Sequence, residues 1–131
     1  MMEKTTVRGS ESWRVSTPAV DACITENGGM TAPVVFTLPG NKKASPYYVN
    51  PWAGDTLDDT APAVLRHLRG DFFCLPFGGN NRVDDEDHQP HGESSFSVWK
   101  FDSCTEGSTE TILSLDLAYT KCVLTSAFTT F

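Results

Sequence analysis

The sequence has no long hydrophobic run. None of its 131 residues belongs to an apolar stretch long enough to cross a bilayer, and the N-terminal residues lack the apolar segment of a secretory signal. Positive charge is also scarce, because 10 lysines and arginines face 17 acidic residues and give a formal net charge of −7. Such a field repels phosphate backbones and anionic lipid surfaces. We therefore expect no nucleic-acid partner, no membrane association and a cytoplasmic location.

Cysteine is sparse and scattered. The four cysteines form no CxxC pair and no dense framework of the kind found in small disulfide-rich domains. This spacing favours reduced, mostly buried thiols over disulfides or a thiol nucleophile. The 39% hydrophobic content is ordinary for one globular domain that folds in water around one core.

The first third of the chain alternates between apolar and polar residues. This period of two runs through Trp13–Ile24 and predicts two strands, and the Asn27-Gly28-Gly29 turn signal precedes a third apolar stretch at Met30–Leu38. Pro33 cannot donate to a ladder, so the third strand should lie at an edge or begin after this proline. Residues 1–10 are polar and are expected to form a flexible N-terminus ahead of a single β-rich domain over residues 11–131.

Later segments continue the β pattern. Thr60–Leu68 is the one plausible helix, and Phe72–Phe77 reads as a buried strand that ends at a glycine pair. Thr109–Ala118 alternates again, with leucines on one face. Lys121–Phe131 is β-prone and weakly charged, so it would leave a strand edge through which the chain could form a homo-oligomer. The chain is therefore predicted to be all-β, as a sandwich or a barrel.

The stretch Leu68–Trp99 combines more functional residue types than any other. Arg82 follows a glycine and asparagine turn and could present a rigid fork of donors to hydroxyls or a carboxylate, or simply pair with a neighbouring aspartate. His88, His91 and Glu93 could converge on a metal ion, although a hydrogen-bonding histidine suits their spacing better. The tripeptide Arg69-Gly70-Asp71, which lies in the same stretch, reads most simply as a turn that enters a strand.

Four motifs together resemble the galactose mutarotase-like family, which includes aldose 1-epimerases. They are GGM-APVVF near Gly28–Phe36, NPW at Asn50–Trp52, LRGDFFCLPFGGNNR at Leu68–Arg82 and PHGESSFSVW at Pro90–Trp99. The most specific part is an arginine that ends a glycine and asparagine turn, followed by a loop, His-Gly and a tryptophan. The resemblance extends over about residues 20 to 118.

This resemblance implies an antiparallel β-sandwich that forms part of a larger supersandwich, with a sugar in an open cleft on one sheet. Arg82 and His91 match the family residues that hydrogen-bond the sugar, and Asn81 is a neighbour that could contribute. The implied partner is a small-molecule sugar, and no cofactor is expected.

The sequence also departs from the family pattern. Family members open the hexose ring with a glutamate base and a histidine acid from their later half, whereas no histidine follows His91 here and the last acidic residue is Asp116. We therefore expect the N-terminal half of the family domain, altered by truncation or a shifted reading frame, which orients a hexose without the acid/base pair. Whether it is an enzyme stays open. The alternatives are a small metal-binding, cupin-like β-barrel and a non-functional gene fragment.

Overall fold

Two antiparallel sheets contain almost all of the regular structure in the chain. The computed structural model describes residues 1–58, 60–75, 87, 89–118 and 127–130, and for residues 63–64 and 127–130 it describes the backbone alone. The first sheet is ordered β1-β2-β3-β4-β5. Its strands are β1 (Met2–Val7), β2 (Ser10–Ser16), β3 (Val20–Thr25), β4 (Thr31–Leu38) and β5 (Lys42–Ala44).

The second sheet is ordered β6-β7-β8 and follows a long connection. Its strands are β6 (Lys100–Glu106), β7 (Thr111–Asp116) and β8 (Ala127–Thr130). The connection holds one described α-helix, α1 (Ala63–His67), and a 3-10 turn at Glu93–Ser95. The predicted helix over residues 60–68 is therefore present, but it is a single short turn.

The two sheets pack face to face around one hydrophobic core. Trp13, Val15 and Ile24 of the first sheet join Leu113 and Leu115 of β7, and two flanking residues, Trp99 and Leu117, complete the cluster. The alternation that placed leucines on one face of residues 109–118 is confirmed, because burial of that face removes its apolar area from water. The chain is thus an all-β, antiparallel β-sandwich, as predicted.

The prediction of a flexible N-terminus was wrong for the backbone of residues 1–10. Met2–Val7 pairs with Ser10–Val15 over the whole length of β1. Met2 also packs against the core cluster, although the rest of the strand is half-buried or exposed. A largely polar strand is therefore held at this sheet edge by its backbone ladder together with a few side-chain contacts, which composition does not reveal.

Pro33 lies inside an interior strand, which corrects the expectation that its strand would be an edge or start later. β4 begins at Thr31 and has β3 and β5 on its two sides. The register of β3 and β4 shifts here, so that Ala32 and Pro33 both oppose Cys23. Pro33 lies at this bulge, where the regular ladder is interrupted, and β5 pairs with β4 only at Phe36–Leu38.

Residues 72–75 differ from the predicted buried strand. Leu75 makes only an isolated parallel bridge to Gly92, and Phe73 is exposed. The remainder of the predicted strand and its glycine pair lie outside the described residues.

The described cysteines, Cys23, Cys74 and Cys104, form no disulfide, and Cys23 is buried while the other two are half-buried. Burial raises the pKa of the Cys23 and Cys74 thiols. This disfavours the thiolate form that a nucleophile needs.

The described part of the chain contains no helix that is both long and apolar enough to span a bilayer.

Candidate functional site

His91 lies at the tip of a tight turn that leads into the PHGESSFSVW segment. Its φ of +67° and the +76° of Gly92 bend the chain sharply, and the Gly92 amide donates to the Gln89 carbonyl at 2.9 Å. Gly92 is buried, whereas His91 is exposed. The turn therefore holds the backbone against the protein and leaves the imidazole in solvent.

Two buried serines fix the residues that follow the turn. Ser94 is 0% exposed and its Oγ accepts from the Leu75 amide at 3.0 Å and donates to the Phe73 carbonyl at 2.5 Å. Ser95, which is 1% exposed, donates to the Gly92 carbonyl at 2.9 Å. Because buried polar groups are costly unless paired, these bonds tie the His91 turn to residues 73–75.

Trp99 anchors the far end of the segment in the core. Its indole Nε1 donates to the Ser94 carbonyl at 3.0 Å, and its amide donates to the Glu26 carbonyl at 2.8 Å. Gly29 lies so close to the indole ring that an added Cβ would stand 2.9 Å from Nε1. The indole of Trp99 thus packs against the predicted Asn27-Gly28-Gly29 turn.

His91 has an aromatic neighbour in the described structure. The Phe72 ring meets the imidazole edge to face, with centroids 5.7 Å apart and planes at 82°. This contact packs one ring against the other and involves no hydrogen bond. A neutral imidazole in this position can donate one hydrogen bond and accept another.

The other predicted sugar contacts, Arg82 and Asn81, lie outside the described residues, as does His88. The structure therefore neither brings them to His91 nor separates them from it. Tyr48, Trp52 and Phe73 are exposed aromatic residues, and an exposed aromatic ring can pack against the apolar face of a sugar.

Arg69 is a buried arginine that the sequence did not single out as structural. It is 2% exposed, and its guanidinium donates to the carbonyls of Val7 at 2.9 Å and Arg8 at 3.3 Å and to the Ser10 hydroxyl at 2.8 Å. Burial lowers its pKa, and the neighbouring charge of Arg8 lowers it further. The tripeptide that begins at Arg69 is therefore part of the scaffold, as its interpretation as a turn implied.

No group of three metal-ligating side chains occurs among the described residues. His91 and Glu93 are described, but the third ligand proposed with them, His88, is not. Nothing in the described geometry favours the cupin-like alternative.

Three of the open clefts in the described structure have volumes of about 370, 450 and 430 Å³, and His91 lines none of these three. The first lies at the end of the sandwich where the β2–β3 and β6–β7 turns meet, and the second lies between the edge strands β1 and β6. The third lies beside the β1–β2 turn.

Comparison with solved structures decides the type of sandwich. The chain superimposes on a crystal structure described as a "putative mutarotase (YeaD)" from Salmonella typhimurium, with a TM-score of 0.62 over 92% of this chain and 16% identity. The chain has a mutarotase-like fold. It spans 37% of the length of that protein. No protein-family model and no curated protein matches the sequence. The mutarotase-like fold implied by the sequence motifs is confirmed, and the identity of 16% shows the fold alone.

Proposed function

We propose that this mutarotase-like chain binds a hexose and orients it through hydrogen bonds, with His91 as one of the contacts. The observation that carries the proposal is an exposed imidazole held on a rigid turn within this fold. Ser94 and Ser95 hold the backbone of this turn through their hydrogen bonds, so that a ligand does not have to order the backbone on binding.

Arg82 and Asn81 complete the proposed sugar contacts. Arg82 is assigned by the resemblance of the Leu68–Arg82 motif to the family, in which the arginine hydrogen-bonds the sugar. The resemblance assigns no role to Asn81, which is included as the neighbour of Arg82. An arginine fork suits neighbouring hydroxyls because its N–H groups lie in one plane. The amide of Asn81 would add a donor and an acceptor.

The proposed role is binding without ring opening. Ring opening needs an acid for the ring oxygen and a base for the anomeric hydroxyl. Within the 131 residues no histidine follows His91, and Asp116 is the last carboxylate of a side chain. The acid and the base of the family come from its later half. The residues of this chain would therefore position the sugar without providing the acid and the base that transfer the protons.

The test compares His91→Gly with wild type in calorimetric titrations with galactose and glucose. Glycine adopts the positive φ of this turn freely, so the variant removes the imidazole and leaves the backbone unstrained. Loss of one neutral hydrogen bond should weaken binding about three- to tenfold, and Arg82→Ala should weaken it about tenfold or more. Gln89→Ala, in the same turn and exposed, is the control and should bind as wild type does.

Polarimetry with the same proteins tests whether the chain catalyses ring opening of the sugar. Wild type should not accelerate the interconversion of glucose anomers. Acceleration that His91→Gly abolishes would show that His91 acts as an acid or base, and unchanged affinity in both His91→Gly and Arg82→Ala would refute the proposed binding site.

A further inference from the structure

Arg8 lies at a turn position where the backbone conformation favours asparagine or glycine over arginine. Val7 pairs with Ser10, so Arg8 and Gly9 form a two-residue hairpin turn with φ values of +47° and +74°. Such turns favour asparagine and glycine, because a larger L side chain in the left-handed region is sterically disfavoured. The structure retains a long cationic side chain at this position.

The backbone of this turn is fixed from two sides. The buried Arg69 donates to the carbonyls of Val7 and Arg8 and to the Ser10 hydroxyl. On the other side Gly54 packs so closely that a Cβ on Gly9 would lie 2.8 Å from the Gly54 Cα. The base of the Arg8 side chain is therefore held in place.

Arg8 lines the cleft of about 430 Å³ beside the β1–β2 turn. The other walls include two tyrosines and two prolines, namely Tyr47, Tyr48, Pro33 and Pro46. Tyr48 is 66% exposed, and Tyr47 is half-buried. The cleft thus combines ring faces, which attract the apolar face of a ligand ring, with a planar cation.

No described carboxylate forms an ion pair with the positive charge at this cleft. Within the described residues neither Arg8 nor Arg69 forms an ion pair with a carboxylate. The charge of Arg8 also lowers the pKa of the buried Arg69, second to burial itself. An anion at the cleft would offset this repulsion, in a chain whose net charge is otherwise −7.

We propose that this cleft is a second binding site, separate from the His91 surface, for a carboxylate carried on a ring. The carboxylate accepts a two-pronged hydrogen bond from the Arg8 guanidinium, and the ring lies against Tyr48. A sugar acid and an aromatic acid share this chemistry.

The test is an NMR titration of the ¹⁵N-labelled chain with glucuronate, benzoate, glucose and acetate. Glucuronate or benzoate should shift the amides around Tyr48 with a saturable curve, whereas glucose and acetate should bind at least tenfold more weakly at this cleft. Whichever of the two binds more tightly shows whether the cleft prefers a sugar acid or an aromatic acid. Inorganic phosphate that binds as well as both acids would reduce the cleft to a simple anion site and overturn the proposal.

Substitutions separate binding from folding. Arg8→Asn gives the turn its preferred residue and should keep or raise the melting temperature while weakening binding of the acid about tenfold or more. Tyr48→Ala should weaken it several-fold, and Tyr48→Phe should restore it. Lys100→Gln, which removes one exposed positive charge on β6, controls for the change in net charge and should bind normally.

Two further outcomes would overturn the proposal: no saturable shift with either acid, or unchanged affinity in Arg8→Asn. His91→Gly should leave this titration unchanged while it weakens the proposed hexose binding. The two sites therefore succeed or fail independently.

Discussion

The first sheet and the long connection between β5 and β6 are stabilised in different ways. Each strand of the first sheet pairs with its sequence neighbour through a continuous or once-shifted register. The described parts of the connection, which comprises residues 45–99, hold one short helix, a 3-10 turn and isolated bridges. Their order depends on side chains that bind the backbone, such as Asn50, Arg69, Ser94 and Trp99.

The first sheet is the scaffold, and the connection contains the candidate site. A ladder repeats one interaction along the strand, so the loss of one side chain leaves the backbone bonds in place. In the connection, each buried hydroxyl or guanidinium serves a particular set of carbonyls and amides, and no neighbour can replace it. His91 lies in the connection, where such side-chain bonds hold the backbone in place. Its geometry should therefore be sensitive to substitutions that barely affect the sheets.

The largest expected effect is in the core between the sheets. Ile24 is 1% exposed in β3 and belongs to the cluster that joins both sheets. Ile24→Ala should cost about 2–5 kcal/mol of unfolding free energy in urea titrations, because it removes buried apolar area and leaves a cavity. Ile24→Val should cost about 0.5–1.5 kcal/mol. A cost for Ile24→Ala no greater than that of Ile24→Val would contradict the shared core.

A smaller and more local effect is expected at Ser94. Ser94→Ala removes the partner of both the Leu75 amide and the Phe73 carbonyl, and should cost about 1–3 kcal/mol. Hydrogen exchange should accelerate at Leu75 while the amides of β2 and β3 keep their protection. Ser97→Ala removes a single bond, to the Glu93 carbonyl, and should cost about 0.5–1.5 kcal/mol. Equal loss of protection in both regions would show that they unfold as one unit.

The smallest effect concerns His67 at the end of α1. Burial lowers its pKa below 6.5, and the charges of Arg69 and Arg66 add to this. The unfolded chain therefore binds the proton more readily, so the stability that neutral His67 contributes is complete above about pH 6.5 and falls as the pH drops below it.

Urea titrations at pH 7.5 and 5.5 measure this effect. Wild type should lose stability between the two pH values, by less than Ser94→Ala costs, and His67→Gln should lose less than wild type. A His67→Gln protein with the same loss as wild type would assign the pH dependence to other groups.

The strands of the sandwich were largely predictable. Alternation at Trp13 and Val15 and at Leu113 and Leu115 reports which face meets the shared core, because period-two patterning follows directly from strand geometry. It does not report that both faces of β3 are buried over Ala22–Thr25. β1 and the strand position of Pro33 were not predictable, since they depend on a partner strand and a bulge. The sequence indicated a turn at Arg69 but not its burial, because burial of an arginine requires carbonyls from the distant residues Val7 and Arg8.

The sequence by itself determined the class of fold, the mutarotase-like motifs and the position of His91 after a loop and before Gly92. Only the tertiary structure decided that this histidine is exposed while Ser94 and Arg69 are buried, and that Arg8 shares a cleft with two tyrosines. The physical reason is the distance along the sequence between the residues that interact. Periodicity is a local property of the chain, whereas the satisfaction of a buried polar group or the neighbours of a charge depend on residues far apart in sequence.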